Sequence, residues 1–274
     1  MTTQQELADR FRALHDPAAP LALANVWDAA GAAIVAAAGA PAVATTSAGV
    51  AWSLGAADGG RLDRDLMLGQ LARIVAASGG LPVTADIEAG FGATAADVAE
   101  TVARVLDTGA IGVNIEDALP IPPSGDPLRP IDEQAERLAA ARAAAERAGI
   151  PLYINARIDV FLMHGAAQSV RTAEAFTRAR AYLDAGASGV FLLGVYEPET
   201  IAELTAGIDA PVNVSGNSAH PVAELGKLGV ARVSLGAGTA LAAYGVLDRM
   251  ARELHGTGGA GRLDFDVLNG LLEG

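Results

Sequence analysis

Short runs rich in Val, Ile and Leu recur along the chain, each followed by a longer segment with apolar residues at helical spacing, commonly closed by glycine. The runs predict eight strands: Leu21–Val26, Ala42–Thr46, Pro82–Asp86, Gly112–Glu116, Pro151–Arg157, Gly189–Leu193, Pro211–Ser215 and Ala231–Leu235. The periodic segments predict helices over Arg64–Ser78, Asp97–Thr108, Ile131–Ala148, Ala173–Ala185, Ile201–Thr205, Val222–Leu228 and Gly238–Leu254, and the first residues read as an amphipathic helix. Thr94 and Asp97 have capping-box spacing, with Asp in place of the preferred Glu. Strands that are apolar on both faces and alternate with helices imply a parallel sheet. Eight such units close most economically into a TIM-type (β/α)8 barrel of the α/β class. A doubly wound open sheet is the rival, but no G-x-G-x-x-G follows an early strand and no G-x-x-x-x-G-K-[ST] occurs. No Pro/Ser-rich linker divides the chain, so 1–274 reads as a single barrel domain. Within it, 256–274 is a C-terminal helical extension: glycines at 256–261, then a short helix over Arg262–Leu272 suited to packing on a neighbouring subunit.

Composition narrows the chemistry. The 274 residues are 51% hydrophobic and 19% charged, which excludes intrinsic disorder. The segment Ala29–Ala57 is uncharged and long enough to cross a bilayer, yet Gly31, Gly39, Pro41, Thr45, Thr46, Ser47, Gly49 and Ser53 break it into a short helix, a turn, a strand and a polar loop. The start shows no basic leader followed by an apolar core, and a cytoplasmic location is expected. A net charge of −13 argues against a nucleic-acid or anionic membrane partner, so an anionic substrate needs a local positive centre. The absence of cysteine excludes disulfides, thiolate metal sites and a cysteine nucleophile. The single lysine, Lys227, falls at a helix end and is poorly placed for Schiff-base chemistry. His15, His164, His220 and His255 form no triad or two-histidine metal spacing and are expected to be ordinary surface or loop residues.

In a barrel of this type the chemistry sits at the C-terminal strand ends. Those ends carry Asn25, Thr45-Thr46-Ser47, Asp86 with Glu88, Asn114 with Glu116 and Asp117, Asn155 with Arg157 and Asp159, and Asn213 with Ser215. Asp86, Glu88 and Glu116 should converge at one mouth, joined by Asp58 from the loop after the second strand. Clustered carboxylates repel, and a hard divalent cation relieves the repulsion. Oxygen ligands without His or Cys suit Mg²⁺, with Mn²⁺ as a substitute. The bland alternative is that these acids cap helices or pair with arginines. Arg157 ends an apolar run where an idle guanidinium would be costly to bury. It is a candidate for gripping substrate oxygen or stabilising an enolate, or else for an ion pair with Asp159 or Glu116. Thr45, Thr46, Ser47 and Ala48 offer hydroxyls and N–H groups for a carboxylate.

Taken together, these strand ends resemble the isocitrate lyase/phosphoenolpyruvate mutase superfamily, in particular its short bacterial members, from Asn25 to about Tyr244. The motifs are Thr45-Thr46-Ser47-Ala48-Gly49 with Leu54-Gly55-Ala56-Ala57-Asp58, then Thr84 through Gly92, Gly112 through Asp117, and Asn155 through Asp159. The resemblance implies direct Mg²⁺ contact at Asp86, with Asp58, Glu88 and Glu116 holding the ion mostly through waters. It also implies substrate contact at Arg157, carboxylate binding at Thr46, Ser47 and Ala48, and further anion contacts at Asn213 and Ser215. In similar proteins the substrates are 2-oxo or 2-hydroxy acids and the assembly is a homotetramer built from dimers that exchange a terminal helix, so a multimer is expected.

Two departures bear on the reaction. Lyases of the superfamily carry a Lys-Lys/Arg-Cys-Gly-His loop after the fourth strand, whereas Ala118–Arg129 contains no Cys, Lys or His. Mutase-like and phosphonopyruvate-hydrolase-like members need a lysine in that loop and often a histidine after the sixth strand, where this chain has Leu192-Leu193-Gly194. The expectation is a magnesium-dependent carbon–carbon lyase acting on a small 2-oxo carboxylate through an enolate, with oxaloacetate decarboxylation preferred, retro-aldol cleavage of a 4-hydroxy or branched 2-oxo diacid as a related option, and catalytic roles for Arg157, Asp58 and Glu116. The alternatives are phosphonate chemistry and a 2-oxoacid-binding protein without turnover.

Overall fold

The computed structural model describes residues 2–119, 127–163, 165–216, 219–257 and 263–273. In chain order these form α1 (Gln4–Ala13), β1 (Leu21–Leu23), β2 (Asn25–Val26), α2 (Ala29–Ala37), β3 (Val43–Thr45), α3 (Ser47–Ser53), α4 (Arg64–Ala77), β4 (Val83–Asp86), α5 (Ala95–Asp107) and β5 (Gly112–Glu116). They continue with α6 (Ile131–Arg147), β6 (Tyr153–Ile158), α7 (Gln168–Asp184), β7 (Gly189–Leu192), α8 (Pro198–Gly207), β8 (Val212–Ser215), α9 (Val222–Lys227), β9 (Arg232–Ser234), α10 (Gly238–His255) and α11 (Phe265–Gly270). All the strand pairs are parallel, in the order β1-β9-β8-β7-β6-β5-β4-β3-β2.

The predicted first strand is two strands, and that division closes the barrel. β1 pairs with β9 through Leu21↔Arg232 and Leu23↔Ser234, and after Ala24 the chain changes partner, β2 pairing with β3 through Asn25↔Ala44 and Val26↔Thr45. Eight staves therefore complete a (β/α)8 barrel, and the open-sheet rival is set aside. Asn25 secures the joint. Its amide donates to the Thr45 carbonyl at 2.7 Å and accepts from the Gly236 amide at 2.9 Å, tying β3 to the segment after β9.

Helical spacing explains how the outer layer is held. On α5, Val98, Val102, Val105 and Leu106 form one buried stripe, and the Thr94/Asp97 box closes as its spacing predicts, each side chain accepting from the other's backbone amide. Phe11 and Ala8 of α1 plug the barrel floor against Leu21, Leu23, Ala42, Ala44 and Tyr153. His15 belongs to this floor, which corrects its expected surface role. Its ring stacks on Tyr153 at 4.0 Å, and burial lowers its pKa to about 3, keeping it neutral.

The expected polar loop after β3 is instead helix α3. Val50, Ala51 and Trp52 have an apolar core to enter, and Gly49 permits the approach: a Cβ there would lie 2.9 Å from the Trp27 Cβ and 3.2 Å from the Ala240 Cβ. Helix α11 lies against the same region, with Leu268 and Leu272 on the cluster formed by Ala48, Trp52 and Ala240. Among the described residues no helix is long and apolar enough to cross a membrane.

Candidate active site

The barrel interior is polar below its mouth. Asn155 donates to the Oδ1 atoms of Asn114 (2.9 Å) and Asn213 (3.1 Å), and Asn213 donates to Ser234 Oγ at 3.2 Å. This layer separates the apolar floor from the strand ends. Asn213, expected to contact an anion, has its side chain engaged within the layer, while Ser215 ends β8. Arg232 lies in the bore with no exposed surface, its Nη2 3.5 Å from Asn114 Oδ1, and burial lowers its pKa to about 10.

Above the layer the structure brings together Asp58, Asp86, Glu88, Glu116 and Arg157. Ser47, the first residue of α3, donates its backbone amide to Asp86 Oδ2 at 3.2 Å, while Thr45 Oγ1 accepts from the Asp86 amide at 2.8 Å. One of the N–H groups expected to face a substrate carboxylate is thus directed at a protein carboxylate. Thr46 precedes α3 as its N-cap without a side-chain capping bond, and Ala48 is buried in its first turn. Glu88 adopts a left-handed backbone (φ 49°), a costly conformation for a residue with a side chain, and its carboxylate accepts from the Gly60 amide at 2.5 Å. A cleft of about 370 Å³ lined by Gly60, Leu62, Arg64, Glu88 and Phe91 opens beside it.

Arg157 is held by both carboxylates foreseen as its alternative partners. Nε and Nη2 form a fork with Asp159 at 2.7 Å each, and Nη1 meets Glu116 Oε2 at 2.5 Å. Two of the five guanidinium N–H groups lie outside these three contacts. Asp159 is a site residue that sequence reasoning named only as a possible partner. Strand alternation through Arg157 to Asp159 was the available signal. Asp117, at no exposure, accepts from the Asp159 amide (2.9 Å), Arg178 (3.1 Å) and Tyr182 (2.9 Å), locking the ends of β5 and β6 to α7.

Electrostatics follow from this crowding. Burial first, then repulsion from Asp86, raises the Asp58 pKa to about 6, and burial with repulsion from Asp58 raises Glu88 to about 7. Glu116 is pushed well above its ordinary value by burial despite Arg157. Asp58 Oδ1 is buried without a hydrogen-bond partner among the described residues. An unpartnered carboxylate oxygen among oxygen-only donors fits a hard divalent cation. Among the described residues, no three Asp, Glu or His side chains lie close enough together to hold an ion directly, in line with the expectation that several of these acids would act through waters.

A pH prediction follows. Groups whose folded-state pKa is raised stabilise the fold below their ordinary values of 3.8 and 4.5, and that contribution is lost as pH rises through about 6 and 7. The metal-free double variant Asp58→Asn/Glu88→Gln should therefore gain on wild type as pH rises from 5 to 8, by on the order of 3 kcal/mol. Denaturant titrations at both pH values test this, and a variant that holds level or loses ground to wild type between pH 5 and 8 would contradict it.

The loop after β5 begins and ends on a short stem. Ala118 bridges Leu128, the Leu119 amide donates to the Pro127 carbonyl at 2.8 Å, and the Arg129 amide donates to the Asp117 carbonyl at 2.8 Å. Residues 120–126, the centre of the segment lacking Cys, Lys and His, lie outside the described residues, as does His164.

A closed parallel barrel with an acidic, arginine-centred C-terminal mouth defines an α/β-barrel protein built to carry chemistry at its strand ends. The model of the phosphoenolpyruvate phosphomutase family matches residues 11–255, and the chain belongs to that family, within the isocitrate lyase/phosphoenolpyruvate mutase superfamily. It is 37% identical to an uncharacterized protein of Mycobacterium tuberculosis over 227 residues, covering 82% of this chain and 81% of that protein. It is 29% identical to 2-methylisocitrate lyase of Escherichia coli K12, covering 89% and 82%. An oxaloacetate decarboxylase of Bradyrhizobium is 30% identical over 56% of this chain and 51% of its own length. A solved structure from Burkholderia cenocepacia J2315, provisionally named a phosphonomutase, superposes with a TM-score of 0.85 at 44% identity, covering 91% of this chain and 99% of that one.

Proposed function

We propose that this protein is a divalent-metal-dependent lyase that cleaves a carbon–carbon bond of a small 2-oxo carboxylate through an enolate, with oxaloacetate decarboxylation as its preferred reaction. The carrying observation is the Arg157 guanidinium, fixed between Glu116 and Asp159 amid the acids, with two N–H groups outside those ion pairs. Asp86, with Asp58, Glu88 and Glu116, would hold Mg²⁺ or Mn²⁺, which supplies Lewis acidity toward the substrate's carboxylate and keto oxygens. Thr46, Ser47 and Ala48 would receive the substrate carboxylate, with Asn213 and Ser215 as further anion contacts. In decarboxylation the C3–C4 bond breaks, its electron pair enters the enolate, CO₂ leaves, and C3 takes a proton from water to give pyruvate. Arg157 stabilises the charge arriving on the enolate oxygen. That sequence requires no general acid at bond cleavage, in keeping with Ala118–Arg129, which has no Cys, Lys or His.

The phosphonate reading is favoured by the family model and by the 44% likeness to the Burkholderia chain. The absence of a loop lysine weighs against it. Assembly into a homo-oligomer, a tetramer in the fullest form, belongs to the same proposal, supported by Leu247, Met250 and Leu254 exposed along α10. The functional test is pyruvate release from a panel of oxo-diacids with and without Mg²⁺. Magnesium-dependent release from oxaloacetate is expected. No release from any oxo-diacid together with vigorous phosphonopyruvate cleavage would overturn the lyase reading, and metal-dependent 2-oxoacid binding without turnover would leave a binding protein.

A further inference from the structure

The loop that carries Asp58 is poorly equipped to hold itself. Gly55, Gly59 and Gly60 all have positive φ (80°, 95° and 81°), so the backbone around the carboxylate is built from residues with the widest conformational freedom. On one side the Gly60 amide is tethered to Glu88. On the other, the tether comes from the far end of the chain. Asn269 on α11 accepts through Oδ1 from both the Asp58 backbone amide (2.7 Å) and the Trp52 indole Nε1 (3.0 Å). A single amide oxygen thus joins the acid's own backbone to helix α3, whose first residue contacts Asp86.

The helix presenting Asn269 is seated independently of that contact. Its Asp264 side chain caps the Val267 amide at 3.0 Å, Leu268 and Leu272 pack on the Trp52 cluster, and Phe265 meets the Trp52 ring edge-on at 5.3 Å. Arg61, farther along the loop, pairs with Glu273 at 3.4 Å. The C-terminal segment therefore contacts the loop on both sides of Gly59 and Gly60, near a buried carboxylate oxygen that lacks a partner among the described residues.

We propose that Asn269 is a positioning residue whose amide oxygen fixes the Asp58 loop, so that docking of the C-terminal helix sets the geometry of the metal-binding mouth. The proposal rests on the metal reading given above, and its test separates the two. In the full-length protein, Asn269→Ala removes the shared acceptor, whereas Asn269→Asp keeps an oxygen for both N–H groups and gives up only the long bond that Nδ2 donates to the Asp58 carbonyl at 3.5 Å. Calorimetric titration with Mn²⁺ should show affinity weakened roughly tenfold in Asn269→Ala and largely restored in Asn269→Asp, the scale expected when a partner of a metal ligand is lost. Hydrogen exchange without metal should show faster exchange across residues 54–61 in Asn269→Ala, with β4, β5 and β6 unchanged. In a Trp27→Phe background, Trp52 emission should shift to the red in the alanine variant only.

Wild-type exchange at 54–61 in Asn269→Ala overturns the tether. Faster exchange with unchanged Mn²⁺ affinity overturns the control of the mouth. A wild-type protein that binds no Mn²⁺ overturns the metal reading and with it the positioning role, while the exchange arm still decides whether Asn269 holds the loop.

Discussion

Replacing Asp86 by alanine is expected to lower Mg²⁺-dependent turnover by about 10³-fold or more, equivalent to roughly 4 kcal/mol of lost transition-state stabilisation. The size follows from its place at the centre of the site's field. Its charge acts on Asp58, Glu88, Glu116, Arg157 and Arg232 alike, raising the acids' pKa values and supporting the protonated arginines. Its side chain contributes little to the fold beyond accepting the Ser47 amide. Removing it relieves repulsion, so the metal-free variant should melt at or slightly above the wild-type temperature even as activity vanishes. Rates of pyruvate formation alongside thermal unfolding test both halves. Turnover within tenfold of wild type would remove Asp86 from the centre of the mechanism.

Substitution of Arg157 should separate charge from shape. Lysine keeps a cation but cannot reproduce the fork to Asp159 while also reaching Glu116. Turnover should fall about 10²-fold to 10³-fold, the scale for losing a preorganised charge-stabilising donor, while Mn²⁺ affinity changes by less than about tenfold. Arg157→Met should also destabilise the protein by about 3–5 kcal/mol, because Glu116 and Asp159 are left buried without their counter-charge. That loss should shrink as pH falls and Glu116, whose pKa burial already raises, takes up a proton. Equal stability of the methionine variant at pH 8 would show that the ion pairs do not hold the mouth together.

Local pattern was enough to place most strands and helices, because apolar runs, helical spacing and closing glycines are written within a few residues of one another. The joint at Ala24 was invisible, since one continuous apolar run serves two different neighbours and only closure reveals the change. Helix α3 was hidden by Thr and Ser at its start; the core around Trp52 and Ala240, assembled from distant segments, decides its conformation. Among the site residues, Asp58, Asp86, Glu88, Glu116 and Arg157 stood at strand ends or in a loop that barrel logic points to. Asp159 was within reach of the same alternation. Arg232 and Asn269 were not, because an arginine at the start of a strand and a polar residue in a terminal helix acquire their meaning from partners scores of residues away.

The stem after β5 also decides what the barrel rim can tolerate. It is stitched by main-chain bonds at Leu119 and Arg129, and Asp117 below it is anchored to Arg178 and Tyr182. Neither device depends on which side chains the loop displays. The stem therefore works as a fixed mount, and side-chain substitutions at Ala118 or Leu119 that keep these main-chain bonds should leave the ends of β5 and β6 where they are.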